Sequence, residues 1–226
     1  MSRKLTFALG EYYHVYNRGV EKRVLFNNKF DYQRFLLLLV LMNDQKPVEV
    51  QQLIRDSTIP ELIAEKRKPL VSIISFSLMP NHFHLLLKEI TEKGVSKFMH
   101  KVGTGYSLYF NLQNERVGGL FQGPYKAKHI ADDRYLKYLF EYIHLNPVRE
   151  VLEDGQLVGD AVLSATVEDP YTSLRVYAGK EKGRLAEAVL NQSEFFKIFN
   201  SYQDHVVRLQ QWKAEDFEGG QASLKV

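Results

Sequence analysis

His82 and His84 flank Phe83. In a strand, alternate side chains project from opposite faces, so both imidazoles point one way and Phe83 the other. Phe83 can then anchor the strand in a core while the two histidines converge on one point. Imidazole is the commonest protein metal ligand near neutral pH, so the pair is a candidate divalent-cation site. Two ligands are too few for a stable site, and a third must come from elsewhere in the fold. The same spacing also suits two ordinary polar residues on an exposed strand face.

A second pair stands in the segment Arg134 to Pro147, where Tyr142 and Asn146 are four residues apart. In a helix they share a face, one above the other. If that face meets the His82/His84 side, Asn146 supplies the third ligand and Tyr142 lies beside the ion. A phenol has a pKa of about 10 and is a poor nucleophile at neutral pH unless the electrophile is already polarised. A divalent ion with open positions would polarise a phosphate and align it for in-line attack. The resulting phosphotyrosine keeps the energy of the broken phosphodiester, which suits strand transfer better than hydrolysis. Against this stands a plain alternative. Tyr135, Tyr138 and Tyr142 recur at helical spacing, as a packing stripe would, and Asn146 before Pro147 is an ordinary helix-terminating signal.

The elements that must position these residues follow from periodicity and punctuation. Residues 11–17 read as an aromatic-rich strand, closed by the turn Asn17-Arg18-Gly19. Asn27 or Asn28 can cap a helix from about Phe30 to Asn43. Pro47 and Pro69 bracket a charged insertion, residues 46–69, with room for a short helix or two. Val71 to Leu78 is strand-like, Met79-Pro80-Asn81 breaks it, and His82 to Glu89 resumes, which predicts a hairpin. Ser96 to Asn114 has helical spacing, Tyr125 to Ile130 alternates as a strand, and Asp132 or Asp133 caps a helix that Pro147 is expected to stop. The order β-α-β-β-α-β plus a helix predicts an α+β fold of the ferredoxin-like split type. It is a four-stranded antiparallel sheet with helices on one face and the nucleophile-bearing helix against the sheet. Residues 1–150 form the predicted catalytic domain, and 151–226 a helical C-terminal extension, amphipathic from Ser193 to Trp212.

Composition sets limits on function. The 226 residues are 45% hydrophobic, enough for a buried core, and contain no cysteine, which excludes disulfides, thiolate nucleophiles and cysteine-bound zinc. No apolar run approaches the roughly 20 residues that span a bilayer, and a cytoplasmic location is expected. Charge is uneven: 22 Lys and Arg against 15 Asp and Glu in residues 1–150, but 8 against 12 beyond. A basic body with an acidic tail suits a polyanion-binding core.

With these residues in hand, the chain resembles the HUH single-tyrosine transposases, especially the REP-associated tyrosine transposase branch. The resemblance is carried by Tyr13-His-Val-Tyr-Asn-Arg-Gly19, Leu78-Met-Pro-Asn-His-Phe-His-Leu-Leu-Leu87, Gly119-Leu-Phe-Gln-Gly123 and Tyr142-Ile-His-Leu-Asn-Pro-Val148, which cover most of residues 11–150. It implies that His82, His84 and Asn146 bind Mg²⁺ or Mn²⁺. It also implies that Tyr142 forms a 5′-phosphotyrosine and releases a 3′-hydroxyl, and that the substrate is single-stranded DNA near a small hairpin. Monomer and homodimer both stay open. The chain departs from the pattern at Pro124-Tyr125, where relatives usually carry an arginine and an aromatic, and in the length of residues 46–69. Two imidazoles alone would favour zinc, copper or nickel, so binding Mg²⁺ leans on Asn146, water and phosphate.

Single-stranded DNA is gripped by cations along its backbone and aromatics under its bases. Candidates are Arg18, Lys22 or Arg23 after the first strand, Lys126 and Lys128 on one face of the fourth, and Arg149 beyond the nucleophile helix, with Phe121 and Tyr125 as stacking surfaces. Each is equally an ordinary solvated side chain. His129 and His144 are read as structural. Two rivals remain: a non-catalytic DNA- or RNA-binding regulator that keeps the fold, and a metal-dependent hydrolase in which Tyr142 is dispensable.

Overall fold

The computed structural model describes residues 5–149, 164, 166–180 and 184–211. Four strands, β1 (Tyr12–Arg18), β2 (Val71–Met79), β3 (His82–Glu89) and β4 (Lys126–Ile130), form one antiparallel sheet in the order β2-β3-β1-β4. Helix α1 (Lys29–Leu41) follows β1, α2 (Val50–Asp56) and α3 (Ile59–Ala64) occupy the insertion, α4 (Gly94–Gln113) links β3 to β4, and α5 (Asp133–Arg149) follows β4. The chain continues as α6 (Leu174–Tyr177), α7 (Leu185–Val189), α8 (Gln192–Ile198) and α9 (Tyr202–Gln211). The split α+β arrangement expected from the sequence is the one observed.

Strand alternation divides the sheet between two cores. On the first face Tyr13, Val15, Ile73, Phe76, Leu78, Phe83, Leu85 and Leu87 pack against α1 and α4. Asn28 fixes the start of α1, its Oδ1 accepting from the amides of Phe30 and Asp31 at 2.8 and 3.3 Å. On the second face α5 lies over the sheet, with Leu136, Leu139, Phe140 and Ile143 joined by Ile74, Leu86, Phe195 and Phe199. Alternation puts Ile73 in the first core and Ile74 in the second, and a register shift between Ile73 and Ser75 keeps Ser75 on the second face as well before Phe76 returns to the first.

The extension covers the outer edge of β2. The Leu78 amide donates to Tyr171 O (2.9 Å), the Ser173 amide to Phe76 O (3.0 Å) and the Asn191 amide to Ile73 O (2.8 Å). Two expectations need correction. Pro147 does not end α5, which runs on to Arg149. A proline removes a single helical donor, here the one that would meet the Ile143 carbonyl, and can interrupt the bonding of a helix without ending it. The amphipathic run from Ser193 is two helices, α8 and α9, separated at residues 199–201. There Phe199 adopts an extended conformation and buries its ring against Phe140.

Candidate active site

The second face carries the polar residues. In register across the sheet, Ser77, His84, Tyr16 and Lys126 form one row, and Ser75, Leu86, His14 and Lys128 the next. His82 and His84 project from β3 on this side with ring centroids 5.1 Å apart, while Phe83 enters the opposite core against Phe35. His84 is fully buried and His82 is 9% exposed.

Helix α5 brings Tyr142 to the same place. Its ring centroid lies 5.8 Å from that of His84 and 6.3 Å from that of His14, both edge-on. The ring is enclosed, at 2% exposure, with Tyr138 stacked beside it at 6.4 Å. Asn146 is buried one turn later, and its Nδ2 donates to the Tyr142 carbonyl at 3.1 Å. That bond commits the amide nitrogen to the helix and leaves the carbamoyl oxygen as the ligand-capable end.

Each histidine has a partner behind it. His82 Nδ1 is 2.6 Å from Asn81 Oδ1, so this nitrogen carries the proton and Nε2 the lone pair. His84 Nδ1 is 2.8 Å from Nε2 of His14. Burial first, and then the charge of Lys128, pull the His14 pKa down to about 3, which keeps that ring neutral and able to accept. With the proton on His84 Nδ1, the lone pair of that ring lies on Nε2. Ligating histidines commonly hold their second nitrogen in this way. Among the described residues no group of three His, Cys, Asp or Glu side chains could hold an ion. The ligand set expected from the sequence, two imidazoles and one amide oxygen, would fit an octahedral cation only with water or phosphate in the remaining positions.

The cationic candidates divide by location. A cleft of about 200 Å³ lined by Tyr16, Asn17, Arg18, Gln122, Pro124 and Lys126 opens at the β1–β4 end of the site. Lys126 Nζ stands 5.8 Å from the Tyr16 ring and Lys128 Nζ 4.5 Å from the Tyr135 ring. Nε of Arg18 is buried and has no hydrogen-bond partner among the described residues. Arg23 is exposed just past the turn after β1, in a segment tied to the β2–β3 turn through the bonds of Leu25 and Phe26 to Pro80 O. Gly19 permits that fold-back, since a Cβ there would meet Arg23 O at 2.2 Å. The Arg149 side chain lies outside the described residues.

Phe121 and Tyr125 are not beside this site. Both pack on the first core, with Phe121 edge-on to Phe83 at 6.0 Å, because strand alternation sends Tyr125 away from Lys126. Besides Tyr142, the site face carries the aromatics Tyr16, Tyr135 and Tyr138. His129 pairs with Glu11 at 2.6 Å, and His144 is buried in hydrogen bonds on the far side of α5. Sequence reasoning overlooked His14, which it noted only inside a motif. The signal was there: His14 and Tyr16 alternate on β1 as His82 and His84 do on β3.

Residues 11–146 match a family model described as "Transposase IS200 like", a span that contains His14, His82, His84, Tyr142 and Asn146. The fold is similar to that of a solved structure of a REP-associated tyrosine transposase bound to a REP hairpin, with a TM-score of 0.52 and 11% identity. The match covers 80% of this chain and 86% of that one. At that identity the likeness is one of fold. No match is found among curated proteins. No helix among the described residues is long and apolar enough to cross a membrane.

Proposed function

The chain belongs to the IS200-like transposase family, and we propose that it cleaves and rejoins single-stranded DNA with Tyr142 as nucleophile. The observation that carries this reading is the Tyr142 ring 5.8 Å from His84, whose own neighbour is His82 at 5.1 Å. His82, His84 and the oxygen of Asn146 would hold Mg²⁺ or Mn²⁺. When bound, such an ion polarises the phosphate and neutralises charge that develops on its oxygens. His14 and Asn81 hold the two imidazoles in the tautomers that ligation needs.

The Tyr142 oxygen forms a bond to phosphorus and loses its proton. The bond from phosphorus to the 3′-oxygen breaks, and that oxygen takes up a proton to become a free 3′-hydroxyl. The 5′-phosphate stays on the tyrosine, and attack by another 3′-hydroxyl reverses the exchange and joins new ends. Arg18, Lys126 and Lys128 border the site and would pair with flanking phosphates, with Arg23 and Arg149 further along the strand. A strand beside a hairpin is the expected substrate, since the structurally similar transposase was solved with one. At 2% exposure the Tyr142 ring must leave its packed position, or its cover must open, before a phosphate reaches it.

That burial favours one rival, a binding protein that retains the fold without cutting. One experiment separates the two. Labelled single-stranded DNA is incubated with the protein and Mn²⁺ or Mg²⁺ and run on a denaturing gel. A covalent adduct present in the wild type and absent in Tyr142→Phe is expected. Salt-sensitive binding with no adduct under either ion would leave the binding protein, and an adduct undiminished in Tyr142→Phe would remove Tyr142 from the chemistry.

A further inference from the structure

Helix α5 is gripped from the side away from Tyr142 by a chain of buried polar groups. His144 lies two residues from Tyr142 and two from Asn146, about 200° around the helix from each. Its Nε2 is 2.6 Å from Ser173 Oγ and 3.2 Å from Ser75 Oγ, and its Nδ1 is 3.0 Å from His205 Nε2. Ser173 Oγ in turn accepts from the Phe76 amide at 3.0 Å. His144, Ser75, Ser173 and His205 are all fully buried. One turn earlier on α5, buried Glu141 pairs with Arg208, which stands one turn after His205 on α9. Two parallel links, Glu141–Arg208 and His144–His205, thus join α5 to α9, and a third runs from His144 through Ser173 to β2.

Apolar packing is non-directional and tolerates small rotations of a helix, whereas buried hydrogen bonds are directional and costly to leave unmade. A one-residue slip of α5 would turn it by about 100° and shift it by about 1.5 Å, carrying Tyr142 and Asn146 away from the histidines together. Ser173, His205 and Arg208 all lie outside the span matched by the family model. We infer that Ser173 and His205, acting through His144, are positioning residues that set the rotation of α5 and so hold Tyr142 and Asn146 against the His82/His84 face. The inference rests on Tyr142 being the nucleophile.

The test uses the full chain. His205→Leu should lower the rate of Tyr142 adduct formation at saturating DNA by about 10- to 100-fold, the scale of an ångström-level misplacement, with affinity for the same DNA within about two-fold. His205→Gln, whose amide can still hydrogen-bond His144, should recover most of that loss. Arg208→Gln, which spares the core, should slow the adduct several-fold. Wild-type rates in folded His205→Leu and in Arg208→Gln would overturn the proposal, as would a parallel loss in His205→Gln. A wild type that forms no adduct sinks the nucleophile reading instead. In that event ¹⁹F NMR of 3-fluorotyrosine at position 142 still decides: a resonance moved in His205→Leu and restored in His205→Gln supports the positioning role, and an unmoved one overturns it.

Discussion

The two faces of the sheet are made by the same strands and differ in what they bury. The first face contributes Val15, Phe83, Leu85 and Leu87, which meet α1 and α4 as an apolar core. The second buries His14, Ser75, Ser77, His84 and, on the helix above, Tyr142, His144 and Asn146. Burying so many polar groups is costly unless each is hydrogen-bonded, and buried polar groups contribute less net stability than hydrocarbon. The contrast teaches that one strand can serve two ends through its period of two. Phe83 packs in the first core while its neighbours on either side, His82 and His84, are the proposed metal ligands on the second face.

Changes on each face should therefore have separable consequences. Phe83→Ala should have the largest effect, about 3–5 kcal/mol of folding stability, read by urea unfolding. A loss below about 1 kcal/mol would show that Phe83 is not the anchor its burial indicates. Acid should act next, and through the second face. Burial lowers the pKa of His14 and His205 to about 3, and that of His144 below its ordinary value. The unfolded chain, with histidines near pH 6.5, then binds more protons, so stability is full above about pH 6.5 and declines as pH falls towards 3. Each group contributes up to about 1.4 kcal/mol per pH unit. Unfolding curves at pH 7 and pH 5 should differ in that direction, and by less in His205→Leu. Equal stability at the two pH values would contradict neutral, buried imidazoles.

Smaller effects sharpen the same contrast. His14→Leu should weaken Mn²⁺ binding by about 10- to 100-fold, the usual consequence of removing the group behind a ligating histidine, as read by electron paramagnetic resonance titration. Unchanged affinity would detach His14 from the metal site. Lys126→Ala should weaken single-stranded DNA binding evenly across sequences and reduce the salt slope by about 1. A slope equal to that of the wild type would place Lys126 away from the DNA backbone.

Much of this contrast is legible in the sequence because it is local. The alternation His82-Phe83-His84 assigns each side chain its face, the interval from Tyr142 to Asn146 assigns a helix stripe, and the turn residues set the order of elements. What escapes is what depends on partners far along the chain. His14 acquires its meaning from His84, 70 residues away, and His144 from Ser173 and His205, 29 and 61 residues away. No local pattern encodes those meetings. The position of Phe121 and Tyr125 escapes for a related reason. Their types suit base stacking, but which face they occupy follows from the register of β4 against β1 and from the path of the loop before it. Pro147 misleads because a proline removes one helical donor without forbidding the helix to continue past it.

The backbone contacts of residues 171–173 and 191 along β2 also govern how this protein can meet others of its kind. An open strand edge is a template for a further strand, and proteins guard against unwanted extension by occupying or shortening it. Here one border of the sheet is already taken by the chain's own C-terminal segment, and the other is the five-residue β4, which carries Lys126 and Lys128 on the second face. Growth of the sheet by strand addition, whether in assembly or in aggregation, is thereby confined to the border next to the cleft lined by Arg18 and Lys126, where an incoming strand would compete with the nucleic acid proposed to lie there.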